Sequence, residues 1–246
     1  MDATTIALIA LLMALAAGLY STVGHGGASA YLAIMALFVV APETMRPTAL
    51  ALNLVVAGFG SWRYWRAGQT NLKLLAMFAV TAVPAAFIGG GIHVPPDIYR
   101  PLVGVVLWLA ALRLFWQPAD LAARQPHAVP LTVALPVGAL LGLLAGLTGT
   151  GGGIFLSPLI ILLRWEDPRR TSGVVAAFIL LNSIAGLAGN VASVRALPAE
   201  LPIFAVAVIA GALVGTWLGV GRLPKPRLLQ WLGAVLVIAG AKLIFA

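Results

Sequence analysis

Two glycine-rich clusters interrupt long apolar stretches of this sequence, and they are where its residue types could do chemistry. The first is Gly24-His25-Gly26-Gly27, and the second is Gly149-Thr150-Gly151-Gly152-Gly153. Because glycine is costly inside a helix, we expect the helix to break at each cluster and a new helix to begin near Ala28 and near Ile154. The first amide N–H groups of a helix lack intrahelical acceptors and carry partial positive charge. Two such helix starts brought together would bind an anion without a buried Lys or Arg.

Polar side chains beside the clusters would add hydrogen-bond donors to this candidate site. Thr150, Ser29 and Ser157 supply hydroxyl groups close to the two expected helix starts. His25 could support a proton-coupled step, because histidine changes its charge near neutral pH. The second cluster has Thr150 at the equivalent place, so the histidine cannot have a symmetric role.

Two asparagines lie inside long apolar segments at nearly corresponding places, and each needs a hydrogen-bonding partner. Asn53 and Asn182 could bond to a neighbouring helix or to a substrate, and the sequence leaves both open. Close helix packing is likewise the competing explanation for the glycines. The candidate substrate-binding residues are Gly24, His25, Gly26, Gly27, Ser29, Asn53, Gly149, Thr150, Gly151, Gly152, Gly153, Ser157 and Asn182.

The composition identifies the environment of these residues as a lipid bilayer. The chain has 246 residues, of which 61% are hydrophobic and 9% charged, and its mean hydropathy is +1.04. These values exclude a soluble globular domain, and the apolar runs are too long and unbroken for an outer-membrane barrel. We therefore predict an all-α, polytopic integral membrane protein. The apolar segment Thr5–Leu19 lacks a basic start and is interpreted as a retained membrane segment rather than a cleaved signal.

Charge and cysteine content exclude several other functions. The net charge of +8 sits in short loops, where it indicates membrane orientation rather than binding of nucleic acid. The chain has no Cys and 3 His, so disulfides, thiol catalysis and a zinc site are not expected. No Lys follows the second glycine cluster as in a nucleotide-binding loop, so ATP hydrolysis is not expected either. We predict no cofactor and no metal.

The chain is internally duplicated. Residues 24–28 match 149–153 at an offset of 125, and residues 53–58 match 181–186 at an offset of 128. Pro95, Gly104 and Arg113 match Pro224, Gly233 and Lys242 at an offset of 129. An offset that drifts so little indicates two repeated halves, 1–117 and 130–246, joined by a linker at 118–129.

Each half contains one glycine-broken stretch, Thr5–Ala41 or Pro130–Leu163, followed by three apolar segments. The three segments are Pro47–Trp62, Leu74–Ile92 and Pro101–Leu114 in the first half, and Ser172–Val194, Ile203–Val220 and Leu228–Phe245 in the second. The parts of the broken stretches after the glycines are short for a full span, which favours a re-entrant hairpin over two crossings.

The loop cations favour a broken stretch that returns to its starting face. A single crossing would divide the 15 Lys and Arg residues almost evenly between the faces. A returning stretch leaves only Arg46, Arg100, Arg195 and Lys242 on one face, which satisfies the positive-inside rule. We therefore predict two inverted-topology repeats, each a re-entrant hairpin plus three transmembrane helices. Both termini would lie outside the cell inner membrane, and the linker would be cytoplasmic.

At these residues the sequence resembles the TauE/SafE sulfite exporter family. The resemblance covers nearly the whole chain and rests on both glycine clusters, on Ser157-Pro158 and on Arg170-Thr171-Ser172-Gly173. It implies an inner-membrane permease for small anions such as sulfite, thiosulfate, sulfoacetate and other sulfonates or organic acids. Export is the direction usually inferred for this family, and import is also known within it.

Together these inferences predict a secondary transporter, not an enzyme, that moves a small anion by alternating access around the paired glycine breaks. A proton or another ion could supply the energy. The alternatives are a passive anion channel, a structural subunit of a larger complex, and an intramembrane enzyme using His25 and Ser29, which lack a fitting third group. The expected partners are the anion and the lipid bilayer. The sequence leaves homo-oligomer formation, transport direction and the coupling ion open.

Overall fold

The computed structural model describes residues 2–22, 24–115, 126–221 and 226–245, and these residues form helices without any strand. The helices of the first half are α1 (Ala3–Ser21), α2 (Ala28–Leu37), α3 (Pro42–Arg66), α4 (Leu72–Gly91) and α5 (Pro96–Phe115). Those of the second half are α6 (Leu131–Thr148), α7 (Gly153–Leu162), α8 (Pro168–Gly189), α9 (Leu201–Gly221) and α10 (Pro226–Phe245), with a 3-10 segment at Val191–Ala196. Most of the linker predicted at 118–129 lies outside the described residues.

The all-helical membrane architecture is confirmed. Among the described residues, 6 helices are long and apolar enough to cross a bilayer: α1, α4, α5, α6, α8 and the Leu201–Leu218 part of α9. Large apolar side chains such as Leu15 and Val80 are exposed on these helices, as expected of a surface that faces lipid. The order of one long, one short and three long helices occurs in both halves.

Helix boundaries differ from the sequence predictions at two prolines and one glycine. Helix α3 begins at Pro42 and α5 at Pro96, so Pro47 and Pro101 lie inside helices instead of starting them. Proline at the first helical position gives up no hydrogen bond, which is why Pro42 can start α3. Helix α8 ends at Gly189 instead of running to Val194, and the chain continues as the 3-10 segment.

The two arms of each glycine-broken stretch are unequal. Helices α1 and α6 have 19 and 18 residues, or about 27–29 Å at 1.5 Å per residue, whereas α2 and α7 have 10 residues each, about 15 Å. The second arm is therefore too short to span a bilayer. The His127 N–H donates to the Arg164 carbonyl over 3.0 Å, so α7 ends at the same end of the molecule where the chain enters α6.

Glycines let the first helix of each half lie against the fourth helix of the other half. On α6, Gly138 and Gly142 lie against the backbone carbonyls of Phe78 and Ala82 on α4. On α9, Gly211 lies against the Ala14 carbonyl of α1. Small residues permit this close backbone approach, which is how helices associate in lipid without a hydrophobic driving force.

Equivalent helices of the two halves pack against each other in opposite directions. Between α5 and α10, Gly104 approaches Gly240, while Phe115 approaches Gly233, so residue numbers rise on one helix as they fall on the other. Between α3 and α8, Gly60 approaches Ala176, while Leu50 approaches Gly186. By contrast, the residue pairs that join α4 to α6 rise together, so these two helices run in the same direction.

Replacing Gly142 with alanine is expected to destabilise the protein, because the new Cβ would collide with the Ala82 carbonyl. Overpacking of this kind costs roughly 1–3 kcal/mol in the free energy of unfolding. Gly58→Ala is the matched control, since its Cβ would lie 3.7 Å from the nearest atom, a methyl carbon of Leu180. Thermal unfolding in detergent should show a lower midpoint for Gly142→Ala only; equal midpoints would contradict the packing of α6 on α4.

Candidate functional site

The two glycine clusters converge on one pair of side chains in the middle of α3 and α8. A Cβ at Gly26 would collide with the Asn53 side-chain oxygen and lie 3.2 Å from Ile179 Cγ2. A Cβ at Gly151 would lie 2.9 Å from Asn53 Nδ2 and 2.8 Å from Ile179 Cγ2. The clusters, 125 residues apart in the chain, therefore face the same point, which we call the central site: Gly26, Gly151, Asn53 and Ile179.

The Asn53 side chain at the central site has unsatisfied hydrogen-bonding atoms within the described residues. Its side chain is fully buried, and neither Oδ1 nor Nδ2 has a hydrogen-bond partner within the described part of the chain. A buried polar group without a partner costs about 1–3 kcal/mol. An amide held in this way between two glycine breaks is suited to a polar ligand.

The helices that begin at the clusters have uncapped starts. Gly27 and Gly152 precede α2 and α7 with φ of 97° and 75°, and no described side chain caps either helix start. Left-handed backbone explains the choice of glycine here and also at Gly24, Gly149 and Gly151, where φ is 73°, 84° and 75°. The first amide N–H groups of both helices are available to an anion rather than to a capping side chain.

Two of the predicted hydroxyl donors are directed elsewhere. The Ser29 hydroxyl donates to the Tyr20 hydroxyl over 2.8 Å. The Thr150 hydroxyl lies 2.9 Å from that of Thr148, which donates its own proton to the Leu144 carbonyl over 2.6 Å, so Thr150 is the donor of the pair. Both groups strengthen the turns of the clusters in this structure.

The other two predicted side chains at the clusters, His25 and Ser157, are buried. The His25 ring packs edge-on against Tyr20 with 6.1 Å between ring centroids, and its backbone N–H donates to the Tyr20 carbonyl over 2.9 Å. Ser157 lies in the second turn of α7. Neither is among the nearest neighbours of Gly26 or Gly151.

Asn182 does not occupy the place equivalent to Asn53. Because α3 begins at Pro42 and α8 at Pro168, the residue of α8 that is equivalent to Asn53 is Ile179. Asn182 lies nearly one turn further along α8. Asn182 is also fully buried, without a described hydrogen-bond partner for its amide. It lies outside the immediate contacts of the two glycines.

Three buried tyrosines that the sequence reasoning missed hold the clusters in place. The Tyr31 hydroxyl donates to the Gly26 carbonyl over 2.7 Å. The Tyr64 hydroxyl lies 3.2 Å from the Ser21 carbonyl, and that of Tyr99 lies 3.1 Å from the Thr148 carbonyl, so each meets the last turn of a first arm. A tyrosine inside an apolar segment is the signal that could have indicated them, because a buried hydroxyl needs a partner.

One cavity lies at each end of α4, and the central site is buried at a depth between the two cavities. The Arg46 cavity, about 200 Å³, is lined by Pro42, Glu43, Arg46, Pro47, His93, Val94, Pro96, Tyr99, Asn190 and Ala196. The Trp165 cavity, about 510 Å³, is lined by Asn71, Lys73, Leu74, Met77, Pro126, His127, Ala128, Val129, Leu131, Trp165 and Glu166. Because Asn53 is fully buried, the central site is closed to both ends in this structure.

Comparison with known proteins agrees with this architecture. The chain is 37% identical over 229 residues to the probable membrane transporter protein y4hK of Sinorhizobium fredii, covering 92% of this chain and 93% of the relative. It is 27% identical to the probable membrane transporter protein YjnA of Bacillus subtilis, covering 95% and 98% of the two chains. No solved structure matches the chain significantly. The family model for sulfite exporter TauE/SafE matches residues 9–243, and the chain therefore belongs to this family of membrane transporters.

Proposed function

We propose that this protein is a secondary transporter that carries a small sulfur-containing or organic anion through the central site. The observation that carries the proposal is Asn53, whose buried amide lies between Gly26 and Gly151 and has no hydrogen-bond partner in the described ranges. The name of the family points to sulfite, and thiosulfate and small sulfonates share its compact arrangement of oxygen acceptors.

An anion fits the electrostatics of this site better than a cation. The starts of α2 and α7 and the Asn53 Nδ2 would all donate hydrogen bonds to oxygen atoms of the ligand. Within the described ranges, the only buried acidic side chain is Glu166, which accepts a hydrogen bond from Asn71 over 2.6 Å beside the Trp165 cavity. No buried carboxylate therefore lies among the described contacts of Asn53, where it would repel an anion.

Alternating access would arise from the duplication. The antiparallel packing of α3 on α8 and of α5 on α10 supports two inverted repeats, and the cavities at opposite ends supply approaches from two sides. Rocking of one half against the other would open the central site to each cavity in turn. An ion gradient would supply the energy, and His25 is the candidate for proton coupling.

The test is uptake of radiolabelled sulfite, thiosulfate and a small sulfonate into proteoliposomes of the purified protein, with and without an imposed proton gradient. We expect saturable uptake of at least one anion. Flux that does not saturate and does not respond to any imposed ion gradient would indicate a passive channel instead. Absence of flux from folded protein alone would contradict the proposal and leave a structural role in a larger complex.

Two inverted repeats predict which residues lie on each side of the membrane. The sequence contains no cysteine, so single introduced cysteines can test this prediction. We expect a cysteine at His127, beside the Trp165 cavity, to react only with reagent on the cytoplasmic side of the inner membrane. A cysteine at His93, beside the Arg46 cavity, should react only from outside; both histidines are exposed. A chain with non-inverted halves would also separate His127 from His93, so a third cysteine at the exposed Arg195 tests the inversion itself. It should react only from outside, and reaction only from the cytoplasmic side would contradict the inverted topology.

A further inference from the structure

We propose that the Arg46 cavity is a second anion site, which receives a small oxyanion before it reaches the central site. This inference rests on the proposed function and extends it to a part of the molecule that the glycine clusters do not form. The cavity adjoins the second cluster directly, because a Cβ at Gly149 would lie 3.0 Å from the Arg46 carbonyl and 3.3 Å from Arg46 Cγ.

Arg46 is a half-buried cation without a carboxylate partner among the residues that the structure describes. Its guanidinium donates to the carbonyls of Gly89, Gly90 and Ile92 at the end of α4. Among the described side chains, the salt bridge that the structure contains joins Arg170 and Asp167, so no described carboxylate is paired with Arg46. A guanidinium has five N–H donors, and the three bonds to carbonyls leave two of them for a ligand.

The shape of the cavity suits an oxyanion that is still partly hydrated. Its volume of about 200 Å³ equals that of roughly six to seven waters in the liquid, so it would accept a compact anion with a few of its waters. His93 and Glu43 are exposed, while Arg46 lies one helical turn beyond Glu43 and is more buried. An anion entering past the Glu43 carboxylate would therefore be held by the deeper Arg46.

The two halves carry different residues at the positions equivalent to Arg46, so the second anion site belongs to only one of the two approaches to the central site. Gly24 of the first cluster lies against the backbone of Ser172, as Gly149 of the second lies against that of Arg46. The second half thus supplies a neutral serine where the first half supplies a cation. Only one of the two approaches to the central site carries an arginine at this position.

The experiment compares two thiol reagents at His93→Cys in purified protein in detergent. One reagent is sulfonatoethyl methanethiosulfonate, an anion, and the other is trimethylammonioethyl methanethiosulfonate, a cation. Each rate is divided by that reagent's rate with a free thiol in solution. We expect the anionic reagent to be favoured by roughly tenfold, Arg46→Met to remove this preference, and Arg46→Lys to retain part of it.

Glu43→Gln should change the preference in the opposite direction from Arg46→Met, and it leaves the carbonyl contacts of Arg46 in place. It should raise the preference for the anionic reagent by about two- to threefold, because it removes from the rim a negative charge that repels this reagent. Arg100→Met is the matched control, since Arg100 is exposed on α5 and does not line the cavity. It should leave both rates unchanged, as should Arg46→Met when the cysteine is at His127.

The outcomes separate this inference from the proposed function. Equal normalised rates at His93→Cys, or a preference that neither Arg46→Met nor Glu43→Gln alters, would overturn the second site even if uptake is saturable. A charge preference with the expected signs in a protein that shows no uptake would instead overturn the proposed function and leave the anion site standing. If the second site binds anions, methanesulfonate, which does not cleave disulfides, should slow the reaction of the anionic reagent saturably; a rate that methanesulfonate does not change would count against the site.

Discussion

Replacing Gly151 with alanine is expected to lower anion uptake by roughly 100-fold or more. The backbone at Gly151 is left-handed, with φ of 75°, and the new Cβ would lie 2.8 Å from Ile179 Cγ2 and 2.9 Å from Asn53 Nδ2. Backbone strain of about 1–3 kcal/mol would add to a steric conflict at the point where the ligand binds. The measurement is the initial rate of uptake into proteoliposomes that contain equal amounts of folded protein.

Two controls distinguish a binding role from general damage. Gly68 has a similar left-handed φ of 68° but no atom of the described residues within 4 Å of its Cβ position, so Gly68→Ala has the strain without the conflict at the central site. Gly233→Ala tests helix packing, because its Cβ would meet Phe115 at 3.1 Å, far along the chain from either cluster. Uptake should persist in both. Equal loss of uptake in all three variants would favour packing as the role of the glycines.

Helix type and order could be predicted because they depend on local sequence and on the solvent. Apolar runs in lipid must be helical, and the glycine clusters break them at the expected places, with new helices at Ala28 and Gly153. The start of α3 could not be predicted from hydropathy, because Glu43 and Arg46 make its first two turns look like a loop. Their side chains reach the cavity and the end of α4, contacts that only the folded chain provides.

The candidate site was predictable in its backbone and less so in its side chains. Glycine patterns are local signals for left-handed turns and for close approach, and the positions of the two clusters follow from them. The partner of Asn53 depends on the register between α3 and α8, and the sequence alignment at an offset of 128 missed it by a fraction of a turn. Similarly, the Tyr20 hydroxyl accepts a hydrogen bond from Ser29 only because α1 and α2 fold back on each other.

The second large effect is expected from Asn53→Leu, which should weaken anion uptake while it stabilises the fold. Loss of a hydrogen bond to a charged ligand costs about 1.5–3 kcal/mol, which corresponds to a rise in KM of roughly 10- to 150-fold. Leucine has a similar volume and removes the buried amide whose two polar atoms lack described partners, so the free energy of unfolding should rise by about 1–3 kcal/mol. Uptake kinetics and thermal unfolding in detergent measure the two changes separately.

The pairing of Asn53 with Ile179 allows the amide to be moved across the central site. Both side chains face Gly26 and Gly151, and they sit at equivalent places on helices that run in opposite directions. The single variant Asn53→Ile should lose uptake as Asn53→Leu does, and adding Ile179→Asn should restore part of it, because the amide again lies between the two breaks. A purely structural asparagine would give another pattern, in which stability and uptake fall together in Asn53→Ile and the second substitution lowers both further.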